Sequence, residues 1–133
     1  MAGRLIVDTG VLVASERGRK RLADVISADD DIVIAAITVA ELRTGIERAD
    51  QEHRSARAEF LVKVLETLPV EPYGVETAEA HGRLLAHVHR GGVKRGAHDL
   101  IIAATALATK RILLTADRSA HFDDLPGVDC LEV

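Results

Sequence analysis

Along the chain, short continuous apolar runs alternate with longer amphipathic stretches. Residues Arg4 to Ala14 read RLIVDTGVLVA: Leu5-Ile6-Val7, one carboxylate at Asp8, a Thr9-Gly10 turn, then Val11-Leu12-Val13. A β-branched run this short predicts a strand buried on both faces, as at the centre of a parallel sheet. Residues 32–37 and Ile112–Thr115 repeat the signature, residues 70–73 form a short extended piece, and a Pro126-Gly127 turn precedes a last strand near 128–133. Helical spacing fills the intervals. Residues 15–28 place Leu22, Val25 and Ile26 on one face, with Asp29-Asp30-Asp31 as a solvated turn behind them. Thr38-Val39-Ala40-Glu41 matches a capping box, a hydroxyl followed three residues later by Glu, which predicts a helix start. Residues 51–68 carry Phe60, Leu61, Val64, Leu65 and Leu68 on one side until Pro69 stops them, and residues 76–90 continue through Ala78, His81, Leu84, Leu85 and Val88. Ala97–Thr109 is apolar almost all round, which predicts a helix buried against the sheet.

Strands alternating with helices imply a parallel α/β sheet with right-handed crossovers, and 133 residues fit one domain, 1–133. In such a sheet the strands share a direction and ligands bind beyond their carboxyl ends. Asp8 ends the first strand, Glu41 lies just inside the helix after the second, Asp99 occupies the first turn of the buried helix, and Asp117 follows the strand at Ile112–Thr115. All four acids are therefore expected on one edge.

Composition narrows what that edge can do. Aromatics make up 2% of the chain, which disfavours a single-strand binder built on base stacking. One cysteine, Cys130, excludes an internal disulfide and a cysteine-rich metal site. A first strand starting close to Met1 leaves no room for a signal peptide, and the longest apolar run, Leu100 to Ala108, is far shorter than the roughly 20 residues of a membrane span. A cytoplasmic protein without membrane attachment is expected. The net charge of −4 arises from 21 acidic and 17 basic residues, and setting the four edge acids aside closes the gap.

Carboxylates gathered in a partly dry cleft must protonate or bind a cation. Oxygen ligands without a His or Cys pair suit Mg²⁺ or Mn²⁺ rather than Zn²⁺. Such an ion activates water and stabilises charge on a phosphate during in-line displacement. Taken singly, each acid also has an ordinary explanation: Glu41 as a capping-box residue, Asp99 as a first-turn acid, Asp117 as a turn aspartate with Asp123 and Asp124 as equal candidates for the fourth position. Asp8, interrupting a core strand, is hardest to explain that way.

The ordered set IVDTGVLVA, TVAELRTG, AHDLIIAATAL and LLTADRSAHFDDLPGV resembles the PIN-domain ribonucleases, and its length and spacing resemble the VapC toxins of type II toxin–antitoxin pairs. The resemblance spans essentially the whole chain. It implies a three-layer sandwich with a central parallel sheet of about five strands, and Mg²⁺- or Mn²⁺-dependent endonucleolytic cleavage of RNA leaving 5′-phosphate and 3′-hydroxyl ends. On it, Asp8 and Asp99 match direct metal ligands, Glu41 the acid that completes the site, Asp117 the variable fourth position, and Thr115 the hydroxyl beside it. Gly10 departs from the pattern, since many relatives have Ser or Asn there. The resemblance also implies a cognate antitoxin in a groove between the early helices, reaching a basic side chain toward the acids, and a homodimer.

RNA phosphates need positive charge around an acidic cleft. Arg17, Arg19, Lys20 and Arg21 follow the first strand, and Lys94 and Arg95 precede the Asp99 helix; these are the RNA-contact candidates. His81 is expected in the core and His98 at a helix-start surface. Other acidic-edge enzymes fit less well: haloacid-dehalogenase chemistry needs a second Asp where Gly10 stands, and a receiver domain needs an acceptor Asp where Tyr73-Gly74 stand. A PIN-like module that only binds RNA or protein keeps the fold without the chemistry.

Overall fold

The computed structural model describes residues 3–18, 24, 26–91 and 94–133. Five strands, β1 (Arg4–Val7), β2 (Asp31–Ala35), β3 (Val70–Glu71), β4 (Ile112–Thr115) and β5 (Cys130–Glu132), form one sheet in the order β3-β2-β1-β4-β5. Every pairing is parallel, with Ile6 opposite both Val33 and Leu113. β1 is therefore central and buried on both faces, as its apolar run predicts.

Alternation along each strand divides the core. Leu5 and Val7, Ile34 and Leu114 face α1 (Thr9–Glu16), α2 (Ala36–Arg48) and α3 (Gln51–Thr67), packing with Val11, Leu12, Leu42, Ile46, Leu61 and Val64. Ile6, Val33, Ala35 and Leu113 face the other way, onto α4 (Val75–Gly91) and α5 (Ala97–Thr109). Successive strand residues point to opposite faces, so a run apolar at every position requires helices on both sides. The three-layer sandwich expected from the sequence is what forms.

Two helix starts differ from expectation. α1 begins at Thr9, directly after Asp8, so Val11-Leu12-Val13 belongs to a helix and not to a strand extension, and Thr9-Gly10 is its first turn. Val11 and Leu12 are both buried at the start of this short, largely apolar helix, so the sequence shows no break between it and β1 beyond Asp8. α2 begins at Ala36, straight off the end of β2, with Ala35 as its cap and no side-chain capping bond. The capping box at Thr38–Glu41 is thus not used: Thr38 is already inside the helix and fully buried. Of the helix expected over 15–28, Ser15 and Glu16 close α1, and most of its apolar face, with Leu22 and Val25, lies outside the described residues. The acidic turn is not simply solvated either. Asp30 accepts the Gly3 and Ser27 N–H groups, and Asp31 starts β2 in contact with Arg4 and Arg111.

Candidate functional site

β1 delivers Asp8 to the carboxyl edge of the sheet, where its N–H donates to the Leu114 carbonyl at 2.9 Å and locks it beside the end of β4. There Thr115, also buried, donates its hydroxyl to Asp8 Oδ2 at 3.0 Å and accepts the Asp117 N–H at 3.0 Å. One hydroxyl therefore joins two of the predicted acids and fixes where the chain turns after β4. Asp117 then uses Oδ1 to accept the Ser119 N–H at 2.9 Å, opening a short 3₁₀ turn at Arg118–Ala120. The turn-aspartate role considered for Asp117 is real for that oxygen.

Glu41 arrives from the second turn of α2. Its Oε1 accepts the Thr9 hydroxyl at 2.8 Å, and its Oε2 lies 3.4 Å from His98 Nδ1. Asp99 comes from the first turn of α5, whose cap is Gly96. A Cβ on Gly96 would lie only 2.7 Å from Asp99 Oδ2, so the glycine makes room for the carboxylate to fold back over the helix start. Gly10, by contrast, has open space around a notional Cβ, so packing does not require a glycine there.

Electrostatics tie the four positions together. Burial raises the Asp8 carboxyl to about 6, and the nearby charges of Asp99 and Glu41 add to the rise against the Thr115 hydrogen bond. Asp99 is raised as well, first by burial and then by Asp117 and Glu41, with His98 opposing. Among the described residues no lysine or arginine forms an ion pair with any of the four. Arg118, the nearest cation by sequence, pairs instead with Glu132 at 2.9 Å. Asp123 and Asp124 gather with His121 in an exposed cluster whose ligand atoms lie within 4.8 Å of one another, and the Arg95 guanidinium reaches Asp124 at 3.9 Å.

The basic candidates separate. Lys94 and Arg17 are exposed, while Arg19, Lys20 and Arg21 lie outside the described residues. Arg95 is a correction: its side chain is 6% exposed and donates to the Ala120 carbonyl at 2.9 Å and to that of His121. It braces the approach to α5 against the 3₁₀ turns after Asp117, and is not presented to a phosphate. His81 is half-buried and bonded to the Tyr73 hydroxyl at 2.8 Å, not a packed core residue.

Three contributors were not legible as site residues: Thr9 reads only as a turn, Thr38 only as a capping hydroxyl, and Arg57 carries no signal. Arg57 on α3 lines a cleft of about 100 Å³ with Thr9, Arg17, Glu41 and Phe60. Phe60 also walls an adjoining apolar hollow bounded by Leu12, Ile26 and Val64. A groove between α1 and α3 thus runs up to Glu41.

The family model described as the PIN domain matches residues 5–128. A protein of Rickettsia bellii named Ribonuclease VapC is 31% identical over 130 residues, covering 97% of this chain and 96% of the relative. Ribonuclease VapC5 of Mycobacterium tuberculosis is 32% identical over 132 residues, covering 96% and 94%. Among solved structures, VapBC-5 of Mycobacterium tuberculosis, a member of the VapBC toxin–antitoxin family, superposes with TM-score 0.82 at 26% identity, covering 98% of this chain and 99% of that one. VapBC2 of Rickettsia felis, bound to a DNA fragment from its promoter, gives TM-score 0.88 at 19% identity, covering 98% of each, and speaks for the fold alone.

Proposed function

The chain belongs to the PIN-domain family, and we propose that it is a divalent-metal-dependent endoribonuclease acting as the toxin of a toxin–antitoxin pair. The observation that carries this reading is the convergence of four carboxylates at the strand ends, where burial raises Asp8 and Asp99, with no lysine or arginine paired to any of the four among the described residues. Relatives named ribonucleases support the activity, and solved VapBC complexes support an antitoxin partner.

The donor set fits a hard cation: carboxylate oxygens with a single histidine at the margin suit Mg²⁺ or Mn²⁺. Asp8, Asp99 and Asp117 would hold it, with Glu41 completing the site. When bound, such an ion supplies positive charge to the phosphate and lowers the pKa of water. The protein's own residues do the rest. Thr115 holds Asp8 in place, and Asp117 offers Oδ2 because Oδ1 is committed to Ser119. Glu41 Oε2 accepts a hydrogen bond from the attacking water, which bonds to phosphorus as the bond to the 3′ oxygen breaks. The products are a 5′-phosphate and a 3′-hydroxyl, with no covalent enzyme intermediate.

Arg17 and Lys94 flank the cleft as phosphate contacts. The groove along Leu12, Phe60 and Val64 takes the apolar face of an antitoxin segment, whose basic side chain reaches Glu41 and its neighbours. A homodimer and action in the cytoplasm accompany the same reading, and no described helix is long and apolar enough to cross a membrane.

Asp99→Asn tests the site. RNA cleavage with Mg²⁺ or Mn²⁺ should fall by more than the roughly 100-fold that losing an outer partner of a metal site can cause, while the metal-free protein melts no lower than wild type. Cleavage by the wild type that persists in EDTA, or an active Asn variant, would remove the assignment.

A further inference from the structure

Thr38 sits one turn before Glu41 on α2, is 0% exposed, and makes no capping bond. Its hydroxyl behaves unlike those of four other helical threonines. Thr44, Thr67, Thr105 and Thr109 each turn back onto the carbonyl four residues earlier, at 2.7 to 2.9 Å. That is the usual resting place for a threonine inside a helix. Thr38 Oγ1 instead lies 2.9 Å from Thr9 Oγ1, across the gap between α2 and α1. Thr9 Oγ1 in turn lies 2.8 Å from Glu41 Oε1.

We propose that Thr38, acting through Thr9, is a positioning residue for Glu41, and that this two-hydroxyl chain selects which oxygen of the carboxylate works in the site. The inference rests on the reading of Glu41 as an active-site acid. Its polarity follows from proton counting. A threonine hydroxyl has one proton to donate, and an ionised carboxylate has none. Thr9 gives its proton to Glu41 Oε1, so the Thr9–Thr38 contact must be donated by Thr38. Donors in series polarise one another, and the bond that reaches the carboxylate is the strengthened one. Oε1 is thereby held from inside the protein, and Oε2, the oxygen near His98, is left to orient water. Because the chain begins at a fully buried group, it is anchored to the core and not to a mobile surface side chain. Thr38 touches neither substrate nor cation.

Two substitutions separate this role from packing. Thr38→Val keeps the shape and removes the proton donor; Thr38→Ser keeps the donor and removes a methyl from the core. Each full chain is assayed for RNA cleavage, for Mn²⁺ binding by calorimetry, and for melting in EDTA. The expected result is a crossover. Thr38→Val loses about tenfold in kcat and in Mn²⁺ affinity, with KM unchanged and Tm nearly so. Thr38→Ser keeps kcat and Mn²⁺ affinity within about twofold while its Tm drops by a few degrees. Wild-type kcat and Mn²⁺ affinity in the Val protein would overturn the proposal. So would activity that tracks Tm in both variants. Should the wild type fail to cleave RNA at all, the nuclease reading falls, and the Mn²⁺ isotherms of the two variants still decide whether Thr38 acts on Glu41.

Discussion

The two ends of the sheet meet the same problem, carboxylates close to a hydrophobic core, and resolve it in opposite ways. At the amino edge Asp31 contacts Arg4 at 3.3 Å and Arg111 at 3.1 Å, and Arg111, with a side chain 5% exposed, also donates to the Asp31 carbonyl at 2.9 Å. Beside it the Ser27 and Gly3 N–H groups pull the Asp30 carboxyl below its usual range. At the carboxyl edge the acids receive only hydroxyl and N–H donors, and burial pushes Asp8 up to about 6. One edge is internally compensated and contributes to folding; at the other, among the described residues, no lysine or arginine pairs with the acids. On the function proposed above, stability and catalysis fall at opposite ends of the same strands.

The contrast is sharpest in how stability depends on pH. A carboxyl raised from 3.8 to about 6 binds its proton more tightly in the folded chain than in the unfolded one. Between those values the unfolded state has released the proton while the folded state retains it, so stability falls as pH rises through the window and is flat above it. The size is about 3 kcal/mol for Asp8 alone, at 1.36 kcal/mol per pH unit. Asp99 acts in the same direction, whereas Asp30 and Asp50, both lowered, act in the other. Comparing wild type with Asp8→Asn cancels the background. In EDTA the Asn variant should match wild type near pH 4 and melt about 9 °C higher at pH 7, at roughly 3 °C per kcal/mol for this size. Added Mn²⁺ should close the gap by stabilising wild type only. A pH-independent difference would mean that the carboxyl edge is not under electrostatic strain.

Arg111→Met probes the opposite edge. It removes the guanidinium that the Leu5 and Asp31 carbonyls accept beyond the sheet ladder, and leaves the Asp31 carboxylate with only Arg4. The expected loss is about 2 kcal/mol, below the 3–5 kcal/mol of a wholly buried pair because Asp31 is half exposed. Melting should drop by about 6 °C. RNA cleavage at 25 °C should stay near wild type, because Arg111 lies at the far end of β4 from Thr115. Activity falling more than stability would show that the two edges are coupled through the sheet.

How far this division can be read in the sequence depends on which property marks each residue. Ala97–Thr109 and Ile112–Thr115 form over the expected bounds, because a helix apolar all round and a short β-branched run each leave one packing solution. The convergence of Asp8, Glu41, Asp99 and Asp117 follows from strand direction alone. The local starts of α1 and α2 do not. Both helices begin directly off a strand, without a side-chain cap, so the punctuation expected at Thr9-Gly10 and at Thr38 serves other contacts. Arginines are the least legible. Arg95 reads as part of a basic loop and Arg118 as a neighbour of the acids, but a long side chain can travel several ångströms from its Cα. Arg95 turns into the protein to hold carbonyls, and Arg118 turns outward to Glu132. Sequence places charge along the chain; only packing says where it is delivered.

Arg118 also provides the most delicate test of the carboxyl edge. It immediately follows Asp117, and if its guanidinium neutralised the cluster, the contrast between the two edges would vanish. Its Nε lies 2.9 Å from Glu132 Oε2, but the side chain is 87% exposed, and water and salt screen a pair so placed. Arg118→Ala should change stability by less than about 0.5 kcal/mol, and a double-mutant cycle with Glu132→Gln should return a coupling of the same small size. Mn²⁺ affinity is the sharper measurement. A cation competing for the four acids would, once removed, strengthen Mn²⁺ binding several-fold; a cation already paired with Glu132 leaves it unchanged. The unchanged isotherm is expected, since Arg118 extends into solvent beside Glu132 and makes no ion pair with Asp117.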